Sequence, residues 1–122
     1  MFNRSIEKSA VLHVLTNMAV KDHYILNSEK TVIEAMVCQM DMERDDVQVA
    51  SEMSDGQAER IIAGLSQSEK KIVSAALGTI IQIDGEADYA ETAYYSNLCV
   101  RCGLPYMGPS QAMDILDSFI DL

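Results

Sequence analysis

Apolar residues recur every three or four positions along nearly the whole chain, the pattern of helices that each turn one face to a core. In residues 6–22 the stripe is Val11, Leu15 and Met18, with Val14 and Ala19 beside it. Residues 28–42 repeat it with Val32, Ile33, Met36, Val37 and Met40. The polar run Asp41-Met42-Glu43-Arg44-Asp45-Asp46 interrupts the pattern, and residues 47–53 predict a short helix after it. Ser54-Asp55-Gly56 opens a fourth helix with Ala58, Ile61, Ile62 and Leu65 on one narrow face. Ser66 and Glu69 have the S-x-x-E spacing of a capping box, ahead of the most apolar helix of the chain, which carries Ile72, Val73, Ala76, Leu77, Ile80 and Ile81. Asp84-Gly85 stops that helix, and Asp88 and Glu91 form a second box opening a helix that runs to about Cys102. Pro109 suits the first turn of a last helix bearing Ala112, Met113, Leu116, Phe119 and Ile120. No segment alternates as a strand does. The expectation is a single all-α domain over residues 1–122 with about seven helices.

A shift of 62 residues lays one helical hairpin on another, about 6–42 on about 68–104. Val11 falls on Val73, Leu15 on Leu77, Asp22 on Asp84 and Glu29 on Glu91, while Met18 meets Ile80 and Met36 meets Leu98. The charged identities share the spacing D-x6-E and the same place between helices, so the pattern reads as a duplicated hairpin. Asp22 and Asp84 each end an apolar stripe. Glu29 shares a face with Ile33, Met36 and Met40, and Glu91 with Tyr95, Leu98 and Cys102. Each hairpin should therefore hold an Asp and a Glu at the rim of its own core.

Carboxylates gathered in a partly dry place repel, and a bound cation, a shared proton, backbone N–H groups or a neighbouring Lys or His must compensate. Two readings follow. The acids are ligands of a divalent cation of unspecified identity, or they are structural clips in which Glu favours a helix N-terminus and Asp accepts loop N–H groups. A calcium EF-hand is excluded as the form of such a site: with Gly85 at the sixth loop position, Ile80 falls where the first oxygen ligand must be.

The segment Ile81-Gln82-Ile83-Asp84-Gly85-Glu86-Ala87-Asp88-Tyr89-Ala90-Glu91, with its weaker copy from Ala19 to Glu29, resembles the TerB family associated with tellurite resistance. The resemblance covers roughly residues 5–120. It implies an all-helical fold of two related hairpins, a cytoplasmic bacterial protein and a role in metal or stress response through acidic residues. The matched positions are Asp22, Glu29, Asp84 and Glu91, with Glu86 and Asp88 as auxiliaries; the first copy departs from the pattern in having His23 where the second has Gly85. Related domains also serve as interaction modules, so a helical protein–protein adaptor is the second function class.

Composition narrows this further. With 19 Asp+Glu against 9 Lys+Arg the formal net charge is −10, which disfavours nucleic acid and anionic bilayers. No apolar run approaches a membrane span, no signal-peptide pattern opens the chain, and the 3 cysteines fit a reducing cytoplasm. Cys99-x-x-Cys102 lacks the further ligands a structural zinc site needs and reads as helix packing. His13 reads as a hydrogen-bonded boundary residue, whereas His23 could pair with Asp22 or join a cation site. Tyr89, Tyr94, Tyr95 and Tyr106, or a groove of Met36, Met40, Met42 and Met53, could face a protein partner, although core filling explains both. No nucleophile elbow, P-loop, dinucleotide fingerprint or H-E-x-x-H is present, and a non-enzyme is expected.

Overall fold

The computed structural model describes residues 1–20, 27–82 and 89–121. Among these the fold is all-α, with seven helices and no strand: α1 (Ser5–Ala19), α2 (Asn27–Gln39), α3 (Arg44–Glu52), α4 (Asp55–Ala63), α5 (Gln67–Gln82), α6 (Tyr89–Cys102) and α7 (Pro109–Ile120). The boundaries follow from local chemistry. At α5 the Glu69 N–H donates to Ser66 Oγ at 3.1 Å while the Ser66 N–H donates to Glu69 Oε1 at 3.1 Å. Ser54 caps α4 by accepting from the Gln57 N–H, and Pro109 occupies the first turn of α7. The short third helix starts earlier than its apolar pattern suggests. Its first turn is polar, and Asp46 Oδ2 accepts the Glu43 N–H at 3.0 Å, so capping rather than burial sets that boundary.

The 62-residue register recurs throughout the two hairpins. α1 and α5 begin 62 residues apart, as do α2 and α6. Glu7 Oε1 accepts the Arg4 N–H at 3.2 Å, in the position of Glu69 on Ser66. The second helix of each hairpin ends on a left-handed residue, Asp41 (φ 54°) and Gly103 (φ 70°). The next N–H then reaches back five residues, Met42 to the Val37 carbonyl at 3.2 Å and Leu104 to the Cys99 carbonyl at 3.1 Å. Lys8 Nζ meets the Asp41 carbonyl at 3.5 Å, and its counterpart Lys70 lies 3.3 Å from where a Gly103 Cβ would stand. These contacts bring the end of each second helix to the start of the first, so both hairpins are antiparallel. Val11, Leu15, Met18 and Met36 are buried, and so are Val73, Leu77, Ile80 and Leu98.

The correspondence extends further in a different register. α4 and α7 begin 54 residues apart. Ala58, Ile62 and Leu65 are buried as Ala112, Leu116 and Phe119 are, and Ile61 and Ile115 are both half-buried. α4 packs on α1 and α6, while α7 packs on α5 and α2. Each half is thus a three-helix unit, α1-α2-α4 or α5-α6-α7, whose third helix also covers the other half. α3 is the addition that changes the register from 62 to 54. It is pinned to α1 where Ser9 Oγ donates to the Asp46 carbonyl at 2.8 Å and His13 Nδ1 meets the Ala50 carbonyl at 2.9 Å. In the second half, residues 103–108 take its place without forming a helix. Buried Tyr95 anchors them: its hydroxyl bonds Ser74 Oγ at 2.6 Å and accepts the Met107 N–H at 3.1 Å, while Ser74 Oγ also donates to the Pro105 carbonyl.

The core is aliphatic and thioether-rich, and three of the methionines read from sequence as a candidate partner groove belong to it. Met36, Met40 and Met53 are buried and Met42 is half-buried. These methionines therefore do not form an exposed groove as a set: Met36 on α2, Met40 just after it and Met53 at the end of α3 are all taken up by the core.

The approach of α7 to α5 depends on Gly78, where an added Cβ would lie 3.1 Å from Ala112 Cβ. We expect Gly78→Val to lower stability by about 1–3 kcal/mol through overpacking. Gly78→Ala should be closer to neutral, because a helix-propensity gain of about 1 kcal/mol offsets a milder clash. Urea denaturation of the two variants checks this; equal stability of Gly78→Val and the parent would disprove the close approach.

Candidate functional site

The six acidic positions expected to form a site divide sharply. Asp22, Asp84, Glu86 and Asp88 lie outside the described residues, as does His23. Glu29 and Glu91 are described, and both are interior: their exposures are 0 % and 2 %. The sequence places them at a rim, yet they sit inside the bundle. α2 is packed by α1, α5 and α7, and α6 by α1, α4 and α5. Each Glu stands in the first turn of its helix, where backbone N–H groups and the helix dipole favour a negative charge. Neither carboxylate is isolated; both interact with neighbouring groups.

The two glutamates also belong to the same end of the molecule. Each hairpin is antiparallel, so α2 starts beside the end of α1 and α6 beside the end of α5. Asn17, in the last turns of α1, is hydrogen-bonded to Tyr94, one turn past Glu91 on α6. That bond brings the end of α1 to the start of α6, and with it the connected end of one hairpin to that of the other. Among the described residues no three His, Cys, Asp or Glu side chains gather as a metal-binding group.

A polar seam runs along the α1–α4–α6 junction behind this end. Asn17 Nδ2 donates to Asp55 Oδ1 at 2.9 Å, and His13 Nε2 contacts the same oxygen at 2.7 Å. Since a carbonyl only accepts, His13 Nδ1 carries a proton toward Ala50. His13 is thus the hydrogen-bonded boundary residue the sequence suggested, tying both α3 and α4 to α1. Arg101 on α6 completes the seam with a two-pronged pair to Glu59 at 2.6 and 3.1 Å.

The cysteines are free thiols. Burial pushes the Cys99 and Cys102 thiols up from their ordinary range, and Cys102 Sγ lies 3.6 Å from the Glu59 carbonyl. A protonated, partly buried thiol is a weak nucleophile and a weak ligand, which agrees with a packing role. The tyrosines are dispersed in role: Tyr95 is buried, Tyr94 half-buried, and Tyr89 and Tyr106 exposed, with Tyr106 stacked on Tyr95 at 5.0 Å.

What these features define, among the described residues, is an all-α bundle of seven helices in two similar halves, with two glutamates drawn inside it at one end. No family model matches the chain, and no curated protein matches it. Among solved structures it is similar to the crystal structure of a protein of unknown function from Porphyromonas gingivalis W83, with a TM-score of 0.79, 25 % sequence identity, and coverage of 97 % of this chain and 98 % of that chain. The likeness spans nearly all of both chains. No described helix is long and apolar enough to cross a membrane.

The seam makes a prediction about alkaline stability. Burial, helped by the nearby Asp55 and Glu59 charges and opposed by the Asn17 hydrogen bond, pushes the Tyr94 hydroxyl up from 10.0 to about 12. The unfolded chain ionises Tyr94 first, so its contribution is complete below pH 10 and is lost as pH rises from 10 toward 12. Melting temperature measured from pH 9 to 12 should fall more steeply for the parent protein than for Tyr94→Phe. Parallel curves would remove Tyr94 from the account.

Proposed function

We propose that this protein is a non-enzymatic, TerB-like binder of a divalent cation, held by Asp22, Glu29, Asp84 and Glu91 with Glu86 and Asp88 as auxiliaries, and that it serves in metal or stress response. The observation that carries the reading is the burial of Glu29 and Glu91 at matching positions of two related hairpins whose connected ends lie at the same end of the bundle. Removing a carboxylate from water costs several kcal/mol, and a helix N-terminus returns roughly 0.3–2 kcal/mol. The groups that each glutamate already meets return part of the cost, and a cation shared between the hairpins would add to that at both. The donor set fits such an ion chemically. It is all oxygen and all anionic, which suits the hard ions Ca²⁺, Mg²⁺ and Mn²⁺, with Zn²⁺ favoured only if His23 joins.

The second reading is a protein–protein adaptor in which the same acids clip the hairpins shut without metal. It is supported by the interactions both glutamates already make and by their first-turn placement. Its partner face would include the exposed Tyr89 and Tyr106.

Calorimetric titration with Ca²⁺, Mg²⁺, Mn²⁺ and Zn²⁺ separates the two. The cation reading expects saturable binding by the parent that Glu29→Gln/Glu91→Gln abolishes. A ligand at about 100 times its dissociation constant should stabilise the parent by about 2.7 kcal/mol. Without metal, the double variant should melt at or above the parent temperature, since it no longer buries two charges. Absence of binding at millimolar metal, together with a variant that melts lower in metal-free buffer, would leave only the clip.

A further inference from the structure

We propose that His13 is a pH-sensitive latch: its doubly protonated ring fastens the end of α3 to α1, and loss of one proton releases that end. The latch is built into the hydrogen-bond geometry. His13 Nδ1 lies 2.9 Å from the Ala50 carbonyl of α3, and Nε2 lies 2.7 Å from Asp55 Oδ1 at the start of α4. A carbonyl and an ionised carboxylate accept and do not donate, so both contacts are bonds only when both ring nitrogens carry a proton. A neutral imidazole has one N–H and must turn a bare lone pair on one of the two oxygens. The carboxylate holds its proton by charge as well as by the shorter bond. The neutral ring therefore keeps Nε2–H, and the contact with Ala50 becomes repulsive. Asn17 Nδ2 also approaches Nε2, at 3.2 Å, but it is closer to Asp55 Oδ1, at 2.9 Å.

The loss falls on α3 because little else fastens its end. Asp46 and Ala50 are its buried residues, while Val47 and Val49 are exposed. Near its start Ser9 Oγ donates to the Asp46 carbonyl, a bond in which nothing titrates. Near its end, beside His13, a cavity of about 330 Å³ lined by Leu12, Thr16, Val47 and Ser51 leaves α1 and α3 loosely packed. α4, by contrast, buries Ala58 and Ile62 and keeps the Nε2 bond. The surroundings of the ring set the direction of the response. From α4 it faces Asp55, with Glu59 one turn further on and paired with Arg101 of α6. Tyr94 of α6 reaches it only through Asn17, and the α3 residues beside it, Val47, Ala50 and Ser51, do not titrate. Among the described residues no hydrogen bond or ion pair joins the ring to α2 or α5. The fastened form holds a proton that the released form lacks, so release grows as pH rises. It does so across the range of about pH 5–8 in which histidine side chains change charge.

Imidazole nitrogen shifts and amide hydrogen exchange of the intact protein, followed from about pH 5 to 8 and corrected for intrinsic exchange, test the latch. The ring should be doubly protonated at the low end and carry Nε2–H alone at the high end. Protection at the end of α3, as at Met53, should fall by about threefold or more relative to Ile62 of α4, the loss of one net hydrogen bond. His13→Gln should abolish this response. Asp55→Asn, at an exposed position, keeps the histidine but removes the charge that selects Nε2–H. Its neutral ring can hold Nδ1–H on Ala50, so α3 should stay fastened throughout. A parent ring that keeps its last proton on Nδ1 overturns the proposal. So does equal loss of protection in α3 and α4, or an undiminished response in either variant.

Discussion

The constraint on which the structure turns is the removal of two carboxylates from water. Glu29 and Glu91 are among the largest fully buried side chains of the protein, ranking with Leu15, Met36 and Tyr95. A buried carboxylate is tolerated only where donors or cations meet it, and a first-turn position supplies part of that at no cost in packing. The rest of the architecture follows from making the same arrangement twice. The helix carrying each Glu is covered by its own hairpin, by the first helix of the other half, and by a third helix from across the duplication. No half can bury its own glutamate alone, which is why the halves interlock instead of lying side by side.

That interlocking also explains the seam. α4 and α7 each bridge from the first helix of their own half to the second helix of the other. On the α4 side the bridge is polar: Asp55 and Glu59 reach His13 and Asn17 on α1 and Arg101 on α6. On the α7 side it is apolar, with Gly78 admitting Ala112. Both third helices bury an apolar face, and the first half adds hydrogen bonds and an ion pair to that contact. α3 shares in that polar side, since His13 meets the Ala50 carbonyl of α3 through one ring nitrogen and Asp55 of α4 through the other.

Much of this was legible in the sequence because the chemistry demanded like residues at like places. The 62-residue register is visible in Val11/Val73, Leu15/Leu77 and Glu29/Glu91, and the S-x-x-E box at Ser66 marks the start of α5 without ambiguity. Glu7 and Lys8, which repeat Glu69 and Lys70, carry the same signal and were within reach of the same comparison. The relation of α4 to α7 was not. α3 moves it out of register by eight residues, and Ile62 and Leu65 are matched by Leu116 and Phe119, equivalent in burial but not in identity. The depth of the glutamates was hidden for a different reason. Periodicity says which face a residue shares, but burial on that face depends on helices from the other half, which no local pattern records.

The differences between the two halves show which features the common arrangement requires and which it does not. A duplicated fold keeps what both copies need for stability, here the caps, the left-handed helix ends and the buried stripes. It changes what only one copy needs. Among the described residues the largest change is α3, present on α1 and replaced on α5 by residues 103–108, with Lys71 at the position matching Ser9. Where the first half has a serine that donates to a helix carbonyl inside the fold, the second has an exposed lysine beside an apolar cavity. Stability does not call for that exchange: an exposed lysine next to a cavity neither fills space nor closes a buried pair. In the first half the chain itself covers this face with an acidic helix. In the second the counterparts of that face, Ser74 and Ala75, are buried as well, and Ser74 is bonded to the Pro105 carbonyl, so the chain fills the seat with a loop anchored on Tyr95 instead of a helix.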